Sequence, residues 1–226
     1  MSASSGVGVP PEGVVRMQPA HLRGVVRIHA ESFPTYPSTF YGPAFLRLLY
    51  GEFCRSAACE SFVHLGGSSA VDGFVCGVRD YKTFYADLLR HNLVFLAWVL
   101  AGALLKRPRL AVGILRRGAA VVTTAISPRH TTPGGLKELE FLHTRRYANL
   151  VSIAVAPAAR GSPAGLLLVR AFAEELTRKG YQHCLLDTER DNVAANKFFE
   201  KAGFRFVMSR TLHESDRVGN VYVMDL

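Results

Sequence analysis

The sequence contains little cysteine, and its cysteines do not form the closely spaced pairs that bind zinc or act as a redox dithiol. The four residues are Cys54, Cys59, Cys76 and Cys184. We therefore expect no metal site and no disulfide, only reduced and mostly buried thiols. With 49% hydrophobic residues in a chain of 226, a core of sufficient size forms without such cross-links.

The sequence also lacks the segments that direct a chain into or across a membrane. No basic and then apolar stretch opens it, so we predict no secretory signal and a cytoplasmic location. The most apolar stretch, Leu93 to Leu105, is ~13 residues long, whereas a helix needs about 20 to span a bilayer. Three interpretations stay open for it: a core helix, a homodimer contact, or a peripheral contact of residues 93–117 with the inner face of an anionic membrane.

Acidic residues are fewer than basic ones, 18 against 27, which gives a formal net charge of +9. Such a charge attracts polyanions, whether nucleic acid, anionic membrane or a phosphorylated ligand. The sequence has no helix-turn-helix, zinc or RNP signature, and its aromatic residues do not alternate with a basic stripe. We therefore expect no nucleic-acid partner.

Hydrophobic periodicity predicts one domain over residues 14–226, after a Gly- and Pro-rich tail at residues 1–13 that we expect to be disordered. The predicted strands are Val14 to Met17, Ser61 to Leu65, Val71 to Val78, Leu150 to Ala156, Cys184 to Thr188, Phe204 to Leu212 and Val221 to Leu226. The predicted helices are His21 to Phe33, Phe45 to Phe53, Ala164 to Lys179 and Val193 to Ala202. Residues 80–139 are interpreted as a helical insertion. The order of elements after it predicts an α/β (α+β) fold with a mixed sheet.

A strand that passes through a turn of small residues directly into a helix is the first feature that points to chemistry. It runs from Ile153 to Gly165 and reads IAVAPAARGSPAG. N–H groups at a helix start have no internal partner and carry partial positive charge, and small side chains let an anion come close. The turn is interpreted as a phosphate-binding site to which Arg160 adds charge, although such turns also occur as purely structural elements.

A second segment, Asn192 to Phe204, reads NVAANKFFEKAGF. Together the two segments resemble the GNAT acyltransferase superfamily, whose loop reads Arg/Gln-x-x-Gly-x-Gly/Ala and whose later helix reads Asn-x-x-Ala-x-x-Phe-Tyr-Glu-Lys-x-Gly-Phe. The matching residues are Arg160, Gly165, Asn192, Ala195, Phe198, Glu200, Lys201, Gly203 and Phe204. The resemblance implies a mixed, mostly antiparallel sheet flanked by helices, with the insertion between the third and fourth strands. Such insertions are similar to those of bacterial GNAT proteins linked to glycan biosynthesis.

The resemblance also implies how acetyl-CoA, the expected co-substrate, would bind. Its diphosphate would lie on the amides of the turn, and its pantetheine arm would run beside the strand like an added strand. The N–H of Val155 would polarise the thioester carbonyl and stabilise the oxyanion. The implied cofactor-binding residues are Ile153, Ala154, Val155, Arg160, Gly161, Ser162, Ala164, Gly165, Asn192 and Phe199.

Three residues depart from the family pattern. Pro163 replaces the middle glycine of the loop and, having no N–H, removes one phosphate donor. Phe199 stands where many members carry the tyrosine that protonates the leaving thiolate, and Asn149 stands where some carry a glutamate base. The familiar acid and base are therefore both missing.

Tyr222 is the candidate we favour to assist the chemistry, although a half-buried strand tyrosine is the structural alternative. The other candidates are Tyr147, His143, Glu140 and His213, each with a surface role as its alternative. Asp187 and Glu189 are candidates to bind an amino substrate. Some members of the family need no such side chain, because they use the backbone donor and a chain of water.

These features favour an acetyl-CoA-dependent N-acetyltransferase acting on a small amine such as an amino sugar. The three departures keep a second interpretation open, a non-catalytic acyl-CoA-binding module. An O-acyltransferase is the third.

Overall fold

A computed structural model describes residues 12–67, 69–106, 146–211 and 218–226, without the side chains of residues 37 and 94–106. The strands are β1 (Val14–Arg16), β2 (Cys59–Leu65), β3 (Val71–Val78), β4 (Tyr147–Val155), β5 (His183–Glu189), β6 (Arg205–Thr211) and β7 (Val218–Asp225). The helices are α1 (Leu22–Ser32), α2 (Pro37–Phe40), α3 (Gly42–Arg55), α4 (Tyr81–Lys106), α5 (Ala164–Arg178) and α6 (Val193–Lys201), with short 3-10 turns at Pro19–His21 and Pro157–Ala159.

The strands form one seven-stranded sheet in the order β1-β2-β3-β4-β5-β7-β6. Every neighbouring pair is antiparallel except β4 and β5, which are parallel. The predicted mixed, mostly antiparallel sheet with flanking helices is therefore confirmed.

Both faces of the sheet are covered, and β3 shows how the sequence achieves this. Phe74 and Cys76 belong to the apolar cluster under α1 and α3, whereas Val75 belongs to the cluster under α5 and α6. Successive side chains of a strand point to opposite faces, so a strand buried on both faces is apolar at every position. The central strands are therefore covered by helices on both faces of the sheet.

A buried charge network joins the first strands to α5. The Glu60 side chain on β2 is fully buried, and its carboxylate binds Arg16 at 3.1 Å and Arg79 at 2.9 Å. Lys179, directly after α5, reaches the same carboxylate and also lies 3.2 Å from Glu175. Removing the shared carboxylate would leave several cations without compensation, so the network ties these elements together.

Helix α4 begins the predicted insertion and is interrupted at Asn92, where φ is −126° and ψ is 16°. The Asn92 amide donates to the Leu88 carbonyl at 2.9 Å and to the buried Glu52 carboxylate at 3.2 Å, so α3 holds the interruption. In the described part of the chain, no helix has both the length and the apolar character that crossing a bilayer requires.

Several predictions lie outside the described residues: the tail at 1–11, the remainder of the insertion, and the candidates Glu140, His143 and His213. Of the cysteines, Cys59, Cys76 and Cys184 are buried and Cys54 is half-buried, as expected for mostly buried thiols. Burial raises the pKa of the Cys59 and Cys184 thiols to about 12.

Candidate active site

The parallel strands β4 and β5 separate after a short paired stretch. They pair only from Tyr147 opposite His183 to Asn149 opposite Leu185, although β4 continues to Val155. The far edge of β5, by contrast, pairs with β7 along its whole length. The second half of β4 therefore has an open edge, to which an extended ligand can add as a strand does.

The hydrogen-bond pattern shows which N–H groups of β4 face that open edge. The N–H of Ala156 donates to the Asp72 carbonyl at 2.7 Å, on the β3 side. Because the N–H groups of a strand alternate between its two edges, those of Val155 and Ile153 face the gap. The buried Ala154 pairs with Phe74 of β3, so its own N–H points away from the gap.

A bulge changes the phase of β4 within this stretch. Cys76 is opposite Ser152 and Gly77 is opposite Leu150, which leaves Val151 as an extra residue. Leu150 accordingly belongs to the α5 layer, whereas Ser152 lies against Tyr50 of α3. The bulge thus turns a polar side chain of β4 toward the α1 and α3 layer.

The turn after β4 leaves part of its backbone free. The N–H groups of Arg160 and Ser162 donate to carbonyls within the turn, at 3.3 and 3.2 Å, and that of Ala164 donates to the Ser162 hydroxyl at 3.3 Å. Among the described residues, those of Gly161, Gly165 and Leu166 have no acceptor. The predicted amide set is therefore only partly available, because the tight turn uses three of its members.

Two glycines shape this turn for different reasons. Gly161 has φ of +83°, which an L side chain rarely adopts. A Cβ on Gly165 would lie 3.0 Å from the Phe198 ring of α6, so glycine allows the two helices to meet there. Pro163 occupies the cap position before α5, and Arg160 is exposed with no carboxylate partner within the described residues. One cation and three free N–H groups suit a diphosphate.

Helix α6 begins beside the gap. The Asn192 side chain caps it by accepting from the N–H of Ala195 at 3.1 Å, and the residue also lines the cavity described below. Phe199 lines that cavity too, buried against Phe198 and Phe204. Asn192 and Phe199 therefore both lie at the gap, and both also have a structural role, Asn192 as a helix cap and Phe199 as a core residue.

Tyr222 is placed differently. Its ring is buried, and its hydroxyl donates to Asn196 at 2.8 Å and lies 3.3 Å from the Glu200 carboxylate, both on α6. Burial and then the Glu200 charge raise the pKa of this phenol. Tyr222 is not among the residues that line the cavity in the described structure. The hydroxyl of Tyr222 is held by Asn196, which also accepts a hydrogen bond from Asn220 at 2.9 Å. The catalytic role of Tyr222 stays a prediction.

A cavity of about 300 Å³ lies where the strands separate. One wall comes from Leu150 to Ile153 and from Leu186 to Thr188, and the opposite wall from α1, α3 and the aromatic segment between them. Four polar groups in the cavity were not selected or connected by the sequence analysis: His29, Ser38 and Tyr50 on the opposite wall, and Ser152 facing them from β4.

These four groups form a continuous chain of hydrogen bonds. His29 Nε2 lies 3.0 Å from Ser38 Oγ, and His29 Nδ1 lies 2.6 Å from the Tyr50 hydroxyl. The Tyr50 hydroxyl lies 3.3 Å from Ser152 Oγ. His29 and Tyr50 are buried, at 5% and 1% exposure, whereas both serines are half-buried. The chain therefore has a dry middle and two accessible ends.

Burial sets the protonation of the middle pair. It lowers the pKa of His29 to about 4 and raises that of Tyr50 well above its usual value. At neutral pH the imidazole and the phenol are therefore both uncharged, and a neutral imidazole donates from one nitrogen and accepts at the other. A hint was present in the sequence, since His29 falls on the apolar stripe of α1 with Val25, Val26 and Ile28, where a polar group needs a partner.

The remaining candidates have defined surroundings. Asp187 lines the cavity and is held by two bonds from the Arg210 guanidinium, at 2.6 and 3.1 Å. Tyr147 and Asn149 lie in the paired start of β4, ahead of the gap. Within the described residues no cluster of three or more metal-ligating side chains occurs.

The sheet with its separated parallel strands, the turn and the capped helix together define an acyl-CoA-dependent acyltransferase. A model of the acetyltransferase (GNAT) family matches residues 84–204, just over half of the chain. The chain therefore belongs to the GNAT acetyltransferase family, enzymes that transfer an acetyl group from acetyl-CoA.

Solved structures share the fold at low sequence identity. A ribosomal-protein-alanine N-acetyltransferase from Brucella melitensis is 12% identical with a TM-score of 0.57, covering 94% of this chain and 99% of its own. An N-acetyltransferase from Staphylococcus aureus Mu50 is 14% identical with a TM-score of 0.56, at 94% and 96% coverage. Ard1 from Thermoplasma volcanium is 16% identical with a TM-score of 0.55, also at 94% and 96%. No curated protein of similar sequence was found.

Proposed function

We propose that this protein acetylates the amino group of a small molecule, such as an amino sugar, by direct transfer from acetyl-CoA. The observation that carries the proposal is the open edge of β4, where the N–H of Val155 faces the gap and the preceding residues, Leu150 to Ile153, line a cavity of about 300 Å³. That volume is at the lower end of the range for ligand sites, which suits a small acceptor beside the acyl end of the cofactor.

The chain supplies the transfer mainly through its backbone. The free N–H groups of Gly161, Gly165 and Leu166, with Arg160, would hold the diphosphate, and the open edge of β4 would hold the pantetheine arm. The N–H of Val155 would then bind the carbonyl oxygen of the thioester as negative charge develops on it. A preorganised donor of this kind contributes about 2.7–4 kcal/mol in other enzymes.

The acceptor would enter from the side of α1 and α3. Phe33 and Tyr36, with ring centroids 5.2 Å apart, give that wall a broad apolar surface, and Asp187 faces it across the cavity. An apolar surface opposite a carboxylate suits a compact molecule that carries an amine. Because two structural neighbours are named for acetylation of ribosomal-protein alanine, peptide amines are the competing class.

Two further parts of the proposal concern the rest of the chain. Residues 14–226 would act as one domain, with 80–139 as its insertion, and residues 93–117 would contact an anionic membrane or a second copy. Binding to anionic vesicles at low salt, and the mass of the particle in solution, test the two contacts separately.

The experiment is a thiol-release assay with acetyl-CoA and a panel of amines: D-glucosamine and other amino sugars, a polyamine, and a peptide with an N-terminal alanine. We expect thiol release with an amino sugar, and mass spectrometry of the product to show one added acetyl group on nitrogen. Acetylation of the peptide alone would contradict the small-molecule acceptor. Thermal stabilisation by acetyl-CoA without release for any amine would contradict catalysis itself.

A further inference from the structure

A chain of four polar side chains lines the cavity in which the proposed acceptor would lose a proton. We infer that Ser152, Tyr50, His29 and Ser38 form a proton wire that carries this proton from the reaction centre to solvent. The inference rests on the acetyl transfer proposed above. In this inference the role of the missing general base is taken by a chain of hydrogen-bonded side chains rather than by a single carboxylate.

The positions of the two ends give the wire its direction. Ser152 lies on β4 and lines the cavity proposed for the acceptor, so its hydroxyl is the end of the wire that an acceptor amine can reach. Ser38 lies at the other end, on the short helix α2, and is half-buried. Between them the buried Tyr50 and His29 meet at 2.6 Å, which excludes water from the middle of the path.

The protonation states of Tyr50 and His29 suit a pair that passes a proton on and does not retain it. A histidine that is neutral at working pH with a phenol donating to Nδ1 carries its proton on Nε2, where it faces Ser38. An imidazole that binds a proton weakly does not keep one, so each group takes a proton on one side and gives one on the other. The groups that titrate and face this pair are Cys76 from β3, Tyr36 beside α2 and Asp187 from β5.

The step balances as follows for an amine acceptor. The nitrogen lone pair forms the N–C bond with the thioester carbonyl carbon, and the C–S bond breaks with its electron pair on sulfur, so coenzyme A leaves as the thiolate. The nitrogen proton passes to Ser152 Oγ, and the protons of Ser152, Tyr50 and His29 each move one place along. One proton leaves Ser38 Oγ to water, and the released thiolate takes a proton from solvent. Once the product has left, a proton taken from water at Ser38 Oγ passes back along the four groups and one proton leaves Ser152 Oγ to water in the cavity, which restores the starting tautomer of His29.

The competing explanation is that the four groups merely satisfy one another in the core. A double variant distinguishes the wire from this structural explanation. If both groups act in one proton path, breaking the path at a second point causes no further loss of rate. Tyr50→Phe and Ser38→Ala should each lower kcat with the best amine of the panel by about 10²-fold, the scale of a positioned proton-transfer group, with little change in KM for acetyl-CoA. The double variant should be no slower than either single one.

Tyr181→Phe is the matched control, since that hydroxyl belongs to a ring stacked on Arg146 outside the cavity. It should leave kcat unchanged. Multiplying effects in the double variant, or an unchanged kcat in Ser38→Ala, would overturn the wire. Thermal melting of each variant, compared with wild type, detects a loss of folding that would mimic the effect.

A second readout needs no acceptor. In ¹⁵N NMR at pH 7, His29 should be neutral with Nδ1 unprotonated, and Tyr50→Phe should remove the hydrogen bond at that nitrogen. A cationic His29, or one protonated at Nδ1, would overturn the wire even if amines are acetylated. A panel with no acetylated amine would instead overturn the proposed function.

Discussion

The two sides of the candidate active site, called walls below, differ in the groups that they present. The wall of β4, the following turn and α5 presents N–H groups of the backbone, namely those of Val155, Gly161 and Gly165. The wall of α1 to α3 presents side chains, above all His29 and Tyr50. A backbone donor survives most substitutions, so the first wall suits the acetyl-CoA that all family members share. The second wall changes with each substitution and can specify an acceptor.

The largest expected effect on stability comes from breaking the charge network that holds α5, part of the backbone wall, against β1 and β2. Glu60→Gln removes the charge that Arg16, Arg79 and Lys179 share, and breaking a buried ion pair costs about 3 kcal/mol or more. We expect a fall in melting temperature of roughly 6–12 °C. The control is Glu174→Gln on exposed α5 surface, where the pair with Arg170 contributes ~0.3–0.5 kcal/mol. Equal melting temperatures for the two variants would contradict the role of the network.

Val155→Pro tests the backbone wall directly. It removes the N–H that faces the gap while leaving the pairing of Ala154 with β3. We expect kcat to fall by about 10²–10³-fold, the usual loss for one oxyanion donor, with a smaller change in the Kd of acetyl-CoA. Ile153→Pro removes the preceding gap-facing N–H and should weaken cofactor binding more than it slows turnover. The opposite ranking of the two variants would place the oxyanion elsewhere.

Acid tests the side-chain wall. The folded protein keeps His29 neutral down to about pH 4, whereas an unfolded histidine takes up a proton below about 6.5. The unfolded state therefore binds more protons in this window, and stability falls as pH drops from 6.5 to 4, by up to about 1.4 kcal/mol per pH unit. Urea unfolding of the wild type and of His29→Gln between pH 6.5 and 4 measures the difference in their free energies of unfolding. The contributions of Asp187 and of the Cys76 thiol are common to both proteins and cancel in that difference. Parallel curves would show that His29 is not held neutral.

The smallest expected effect concerns Pro163. Pro163→Ala restores an N–H in the middle of the turn, which should strengthen coenzyme A binding by about 0.5–1.5 kcal/mol, roughly a twofold to twelvefold change in Kd. Gly161→Ala is the opposing variant, because a side chain at φ of +83° strains the turn. Calorimetry should show tighter binding for the first and weaker binding for the second. Weaker binding in both would mean that the cradle depends on the stiffness of proline.

The difference between the walls also explains what could be read from the sequence. The strand Val71–Val78 and the start of helix Ala164–Arg178 were predicted at the residues observed, because apolar periodicity and small-residue turns are local signals. The turn itself was identified through its small residues and through Arg160 and Gly165, which match the family pattern. The sequence did not reveal contacts between residues that are far apart in the chain. His29 contacts Tyr50, 21 positions away, and Tyr50 contacts Ser152, 102 positions away. The placement of the Tyr222 hydroxyl against α6 rather than the cavity was hidden for the same reason.

The extra residue in β4 has a consequence for how such a protein can diverge. Leu150 and Ser152 already lie on opposite faces of the sheet, so deleting Val151 would restore plain alternation along β4 with Leu150 still under α5 and Ser152 still against Tyr50. A one-residue deletion could thus remove an exposed side chain from the cavity wall without moving the framework that holds acetyl-CoA. Insertions and deletions at this point are a route to new acceptors that point substitutions do not offer.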